Sequence, residues 1–319
     1  MPDIKSASRI LKPSALRKGD RVSLISPASR PYSPSLLRRS ISVIESMELI
    51  PVVGAHALDI HGYMAGSDES RLEDLNHAIR DPDIRGIFVL EGGYGSLRLL
   101  PGVDYERLKS DPKVIVGSDE ATCLLLAIHQ LTGLIVFHGP NLSRIDRSEA
   151  QQELERAIKE SKILPALDLS DAFAGGSFLT FFSGVKEGRT TGGNLTALSS
   201  LMGTPFAPDL TGRILLLCDV NERNDILDRW ITNLYASATL GKVAAIVFGE
   251  FDGCGPRSSL SVLSFEDLLL QRMKQLSVCS CFGLPFGQSS LSRVVPLGVE
   301  SRVDTEQGSL SFLELALVR

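Results

Sequence analysis

The sequence predicts an α/β protein: an N-terminal parallel-sheet domain with helices on both faces, a smaller C-terminal α/β domain, and an active cleft between them. Three observations predict it. Short apolar runs alternate with segments of helical periodicity through the first half of the chain, the pattern of parallel strands joined by crossover helices. A second set of strand and helix signals follows a mixed middle segment, and 319 residues are enough for two domains of ordinary size. Two of the apolar runs end in small or acidic turn residues, where open α/β sheets place their ligands. The expected divisions are an N-terminal domain over 1–165, a crossover over 166–205 and a C-terminal domain over 206–319.

The elements follow in order. Residues 21–26 are a short apolar strand that stops at Pro27. Apolar residues at helical spacing predict a helix over 35–47, and residues 50–53 predict a second strand. Residues 67–80 predict a helix with Ser67 as N-cap and Asp81-Pro82 as its stop. Residues 86–90 are a third strand running into Gly92-Gly93, 113–116 a fourth, 121–131 a helix and 134–137 a fifth strand. The rhythm then changes: a charged helix over 148–161 leads into a mixed segment, 167–191, with turn signals. Gly193-Asn194-Leu195 opens a helix through Met202. The C-terminal domain is expected to hold strands at 213–217, 243–248, 294–296 and 299–303, and helices at 225–235 and 264–276.

Composition narrows the function classes. Hydrophobic residues at 43% and charged residues at 22% suit a well-cored globular chain. A net charge of −5 argues against nucleic acid, which a basic patch would have to bind. No apolar run reaches the roughly 18 residues of a membrane span, so no membrane partner is expected. Residues 1–19 carry basic side chains but no apolar stretch, so they read as no secretory signal, and a cytoplasmic location is expected. The five cysteines are odd in number and match no zinc spacing; they read as reduced core residues, with no metal expected.

The strand ends select residues 91–95 and 117–120. Gly92 and Gly93 can expose backbone N–H groups to an anion, or form only a tight turn. Glu91, Asp119 and Glu120 are expected near one another, where at least one carboxyl pKa should rise and give a general acid. An aspartate in such a turn can also attack carbon. The competing readings are that Asp119 and Glu120 cap the helix starting near Ala121, or that the acidic cluster holds an amine or guanidine. Tyr94 is expected to line the cleft. His138 is a binding or turn residue, Glu222 reaches the pocket or begins a helix, and Cys218 is a thiol without an obvious base.

Spaced motifs run along nearly the whole chain: residues 16–22 (LRKGDRV), 62–75 (GYMAGSDESRLEDL), Glu91-Gly92-Gly93-Tyr94-Gly95, His138-Gly139-Pro140, Gly192-Gly193-Asn194-Leu195, Cys218-Asp219 with Asp228-Arg229, and Gly283 through Gly287. In this order they resemble the LD-carboxypeptidase family of serine peptidases. The resemblance implies a cofactor-free enzyme that cleaves an L,D-peptide bond or an acylated nucleotide antibiotic, with a Ser–Glu–His triad and a homodimeric assembly. The departures fall on that triad. The family's G-aromatic-S-D-x-T turn is Gly117-Ser118-Asp119-Glu120-Ala121-Thr122 here, so an ungapped match puts Asp119 at the nucleophile position and Ser118 one residue early. Cys218 stands at the family's glutamate, Gln288 at its histidine, and Glu91 at an arginine before the Gly-Gly turn. Glutamine cannot exchange a proton near neutral pH, and removing a triad member lowers rates by orders of magnitude. The expected function is a repurposed, cofactor-independent enzyme using pocket carboxylates for cyclisation, isomerisation, ring opening or hydrolysis of a small molecule. The alternatives are a non-catalytic pseudo-peptidase binding a peptide or amine, and a residual L,D-peptidase using Ser118.

Overall fold

In the computed structural model, residues 9–145, 148–168, 178–255, 264–287 and 292–319 are described. Gln288 lies outside them. The N-terminal domain alternates β1 (Arg21–Ile25), α1 (Pro34–Ser46), β2 (Ile50–Val53), α2 (Asp68–Arg80), β3 (Ile84–Val89), α3 (Ser96–Leu99), α4 (Tyr105–Ser110), β4 (Val114–Gly117), α5 (Ala121–Thr132) and β5 (Val136–His138). Strands β1 to β5 pair in parallel in the order β5-β4-β3-β1-β2. The near-continuous apolar runs of the inner strands match strands covered on both faces, while the edge strand β2 is half-exposed. Helix α2 begins as its sequence requires: Ser67 Oγ accepts the Ser70 N–H at 3.2 Å, and Asp68 and Glu69 sit in the first turn.

Helix α6 (Ser148–Lys159) leads to the second domain. That domain holds β6 (Leu167–Asp168), β7 (Leu179–Phe182), β8 (Val185–Asn194), α7 (Leu195–Leu201), β9 (Ile214–Val220), α8 (Asn224–Ala236), β10 (Ala245–Asp252), α9 (Phe265–Leu276), β11 (Cys279–Phe282), β13 (Glu300–Asp304) and β14 (Ser309–Phe312). Its mixed sheet runs β6-β14-β13-β8-β9-β10-β11-β7, eight strands against six in the first sheet. The buried apolar residues of both domains form one continuous core, from Leu16 to Leu317.

Two expectations about organisation are corrected. The segment 166–205 is no linker. It supplies β6, β7, β8 and α7, with β8 parallel to β9 and antiparallel to β13 inside the second sheet. Its sequence, VKEGRTTGGN, has neither an apolar run nor strict alternation, so the strand is set by its neighbours and not by its own pattern. The strand expected near 294–296 is β12 (Val295–Leu297). It crosses back to pair antiparallel with β5 of the first sheet, Val295 opposite His138. Helix α5 is buried along nearly its whole length because it packs against β4 and β5 on one side and α7 and β8 of the second domain on the other. This packing brings the turn before α5 against the second domain.

Candidate active site

The site is built on the turn between β4 and α5. Gly117 ends the strand, where a Cβ would fall 2.7 Å from that of Ala121. The carbonyl oxygens of Ser118 and Asp119 accept the N–H groups of Ala121 and Thr122 at 3.0 and 2.9 Å, so the chain turns at once into the helix. Asp119 sits at φ 54°, a left-handed conformation that a non-glycine residue seldom adopts. Such strain concentrates at functional turns, and a sharp strand-to-helix turn thrusts its central side chain outward.

The Asp119 carboxylate lies against the Gly-Gly turn after β3. Its Oδ2 accepts the Gly93 N–H at 3.2 Å, and its Oδ1 accepts from Asn194 Nδ2 at 3.3 Å. Glycine is required at 92, because a Cβ there would fall 1.8 Å from Asp119 Oδ2. Glycine is required again at 93, at φ +93°, where a Cβ would meet Ser29 Oγ at 2.0 Å. A cleft of about 390 Å³ opens over this turn. It is lined from the N-terminal domain by Ser29, Arg30, Tyr63, Glu91, Ser118, Asp119 and Arg144, among others. The second domain reaches the cleft carboxylate through Asn194.

Glu91 also faces the cleft, with one oxygen bonded by Asn141 Nδ2 at 2.8 Å and the other by Ser143 Oγ at 3.1 Å. Burial raises its pKa, opposed by those two hydrogen bonds and by Arg144, while the charge of Asp119 adds to the rise. Glu120 points the other way. Its side chain is buried, accepts the Gly95 N–H at 3.0 Å and those of Ser96 and Leu97, and so caps the short helix α3. Burial pushes its pKa up to about 7 against those hydrogen bonds, with Asp119 contributing less. The carboxyls near the turn are therefore shifted by burial more than by mutual repulsion. Glu120 does not cap α5, although it precedes it.

The other expected residues divide. Ser118 lines the cleft, 7% exposed. Tyr94 is not among the described cleft-lining residues; it is 45% exposed, its ring 6.0 Å from that of Tyr63, which lines the cleft. His138 does not reach the cleft: it is enclosed on β5, and its Nε2 lies 3.7 Å from Cys218 Sγ. The expectation that Cys218 has no base beside it is thus corrected. Burial nevertheless drives the thiol pKa well above its ordinary value and the imidazole down to about 4, so both stay neutral near pH 7. Glu222 takes its neighbour's N–H, that of Arg223, at 2.8 Å and is not among the described cleft-lining residues. No histidine is among them either. No group of three or more His, Cys, Asp or Glu among the described residues could hold a metal ion. No described helix is long and apolar enough to cross a membrane.

Sequence reasoning missed two buried groups behind the turn. Asn194 is 2% exposed and Asp219 4%. Asn194 Nδ2 donates to Asp219 Oδ1 at 2.7 Å, and Asp219 Oδ2 accepts from the N–H and Oγ1 of Thr196 at 3.0 and 2.8 Å. The available signal was Gly193-Asn194-Leu195 as a helix start. It marks the start of α7 but not the cap, nor the two carboxylates meeting on the same amide.

Models of the LD-carboxypeptidase N-terminal and C-terminal domains match residues 22–139 and 187–303. The chain belongs to the LD-carboxypeptidase family. The "Probable murein peptide carboxypeptidase" of Bacillus subtilis (strain 168) is 33% identical over 301 residues, 93% of this chain and 92% of the relative. The murein tetrapeptide carboxypeptidase of Pseudomonas aeruginosa is 34% identical over 290 residues, 87% of this chain and 91% of the relative. The fold matches the solved microcin C7 self-immunity protein, of Escherichia coli, in complex with aspartyl sulfamoyl adenosine, with a TM-score of 0.86 at 23% identity over 97% of this chain and 100% of that one. The family's N-terminal match ends one residue after His138, so it takes in the Gly-Gly turn and Asp119.

Proposed function

We propose that this family member is a cofactor-independent enzyme in which the Asp119 carboxylate, not a serine hydroxyl, meets the substrate. The observation that carries the reading is the left-handed backbone of Asp119 at the β4–α5 turn, with its carboxylate held over the cleft by the Gly93 N–H. Asp119 then acts as base or nucleophile. Glu91, whose pKa is raised by burial, is the proton donor on the same wall. Ser118 has no imidazole in the described cleft to activate it. Glu120 leaves the list of reacting groups, because its carboxylate is spent on α3. The ligand is a small molecule or short peptide, in keeping with relatives named as murein peptidases and a fold neighbour solved with an aminoacyl sulfamoyl nucleoside. The reactions within reach of two carboxylates are cyclisation, isomerisation, ring opening and hydrolysis.

A screen of lactams, lactones and acylated amines by mass spectrometry tests this reading. Turnover should be lost in Asp119→Asn and fall in Glu91→Gln; wild-type rates in Asp119→Asn would sink it. A second reading has its own support. Asp119 already occupies the Gly93 N–H that would otherwise serve an oxyanion, which suits a pseudo-peptidase that binds without turnover. Saturable binding with no product across the screen would favour it.

A further inference from the structure

We infer that Asn194 is the positioning residue that fixes the plane and the proton affinity of the Asp119 carboxylate, and ties both to the second domain. The inference rests on the reading of Asp119 as the group that meets the substrate. Asn194 is the N-cap of α7, and the side-chain Oδ1 accepts the Ala197 N–H at 2.8 Å. An amide has one acceptor end and one donor end, so that bond fixes which way the side chain points. Nδ2 must then face the other way, and two carboxylates lie there: Asp119 Oδ1 at 3.3 Å and Asp219 Oδ1 at 2.7 Å. Each of the two Nδ2 hydrogens has one carboxylate. The backbone is locked as well, because the Asn194 N–H donates to Thr122 Oγ1 at 3.0 Å, in the first turn of α5. Gly193, just before it, can take no Cβ, which would fall 2.5 Å from Thr122 Oγ1.

The consequence is a carboxylate held at both oxygens, by a backbone N–H from the first sheet's Gly-Gly turn and by an amide from the second domain. Two donors favour the ionised form and leave the carboxylate little torsional freedom. Asp219 is the anchor: buried, and bonded by Thr196 and the Val220 N–H, it holds Asn194 in place from below. Among the described residues, the other titratable groups facing Asp119 are Glu91 from β3, Glu120 beside it, Cys123 of α5 and Cys218 of β9, with Arg30 and Arg144 across the cleft.

The test reads Asp119 itself and needs no substrate. The full chain is labelled with ¹³C at aspartate carboxyls and titrated by NMR, Asp119→Asn identifying the resonance. Aspartate and serine both cap helices well, so Asn194→Asp and Asn194→Ser keep the bond to α7 while removing the Nδ2 amide donor, and the shorter serine hydroxyl does not take the place of the longer amide. Asn194→Asp also adds a like charge, and should raise the Asp119 titration by about one to two pH units; Asn194→Ser should raise it by roughly half that. In the wild type, the Asn194 side-chain ¹⁵N resonance should shift with the same inflection, and that inflection should vanish in Asp119→Asn. An Asp119 titration unmoved in both variants, or an Asn194 amide indifferent to the Asp119 titration, would overturn the inference. This last reading uses only the wild type and Asp119→Asn, so it stands if neither Asn194 variant folds. Absence of turnover in the screen, with these shifts observed, would count against the proposed chemistry and leave the positioning role intact.

Discussion

Two strand ends meet on the same buried amide and differ in character. At the end of β4, Asp119 is partly exposed, left-handed in its backbone and turned into the cleft. At the end of β9, Asp219 is 4% exposed, Cys218 before it is enclosed against His138, and Asp219 is bonded by buried Asn194 and by half-buried Thr196 and Val220. Only one of these two carboxylates is placed to meet a ligand. A carboxylate with its backbone under strain and one face open can change partners during a reaction. A buried carboxylate with several donors serves to hold others, and removing it leaves those donors without a partner.

Four substitutions sharpen the comparison. The largest effect is expected at Asp219→Ala, which strips partners from Asn194 and Thr196 in a buried setting. Urea unfolding should show a loss of about 3–4 kcal/mol. Next comes Glu120→Gln. The carboxyl has its pKa raised from 4.5 to about 7, so the protonated form is the one the fold prefers. Its contribution is fully present below pH 4.5 and is lost as pH rises through about 7. Wild-type stability should therefore fall relative to Glu120→Gln between pH 4.5 and 8, by up to about 3 kcal/mol, in unfolding curves at the two pH values. Equal pH dependence in the two proteins would place the Glu120 carboxyl in water.

Gly92→Ala follows. The added methyl collides with Asp119 Oδ2, so the turn must shift, at a cost of about 2 kcal/mol, and ligand binding in the cleft should fall further than stability does. The smallest effect is at Cys218→Ala, about 1 kcal/mol, with little change in ligand binding. Thiol reagents should modify Cys218 only under unfolding conditions, since burial keeps it protonated and enclosed. Rapid labelling in the native protein would make the β9 end an open site and erase the contrast with Asp119.

Much of this was legible in the residues. The alternation of apolar runs and helical spacing gave the parallel sheet through β5, and Ser67 marked the start of α2 because its hydroxyl caps it. The turn after β4 could be picked out because ligands gather at strand ends, and because Gly117 and Thr122 bracket it at a fixed spacing. The roles of its carboxyls could not. Asp119 and Glu120 are adjacent and chemically alike, and only the left-handed backbone of the first sends one into the cleft and the other inward to α3. Strand β8 was illegible because its glycines and charges are tolerated by neighbours on both sides and carry no period of their own. Asn194 shows in the sequence only as part of a helix start. Its bonds to Asp119 and Asp219 join residues 75 and 25 positions away, a relation no local pattern encodes.

Whether Asp119 or Ser118 meets the substrate is decided by a mass-spectrometric assay of the purified chain on an L,D-tetrapeptide, beside Ser118→Ala and Asp119→Asn. The account predicts no release of the terminal D-residue by any of the three proteins, with turnover of a non-peptide substrate that Asp119→Asn abolishes and Ser118→Ala retains. Release of the D-residue by the wild type, lost in Ser118→Ala and kept in Asp119→Asn, would contradict it and make Ser118 the nucleophile.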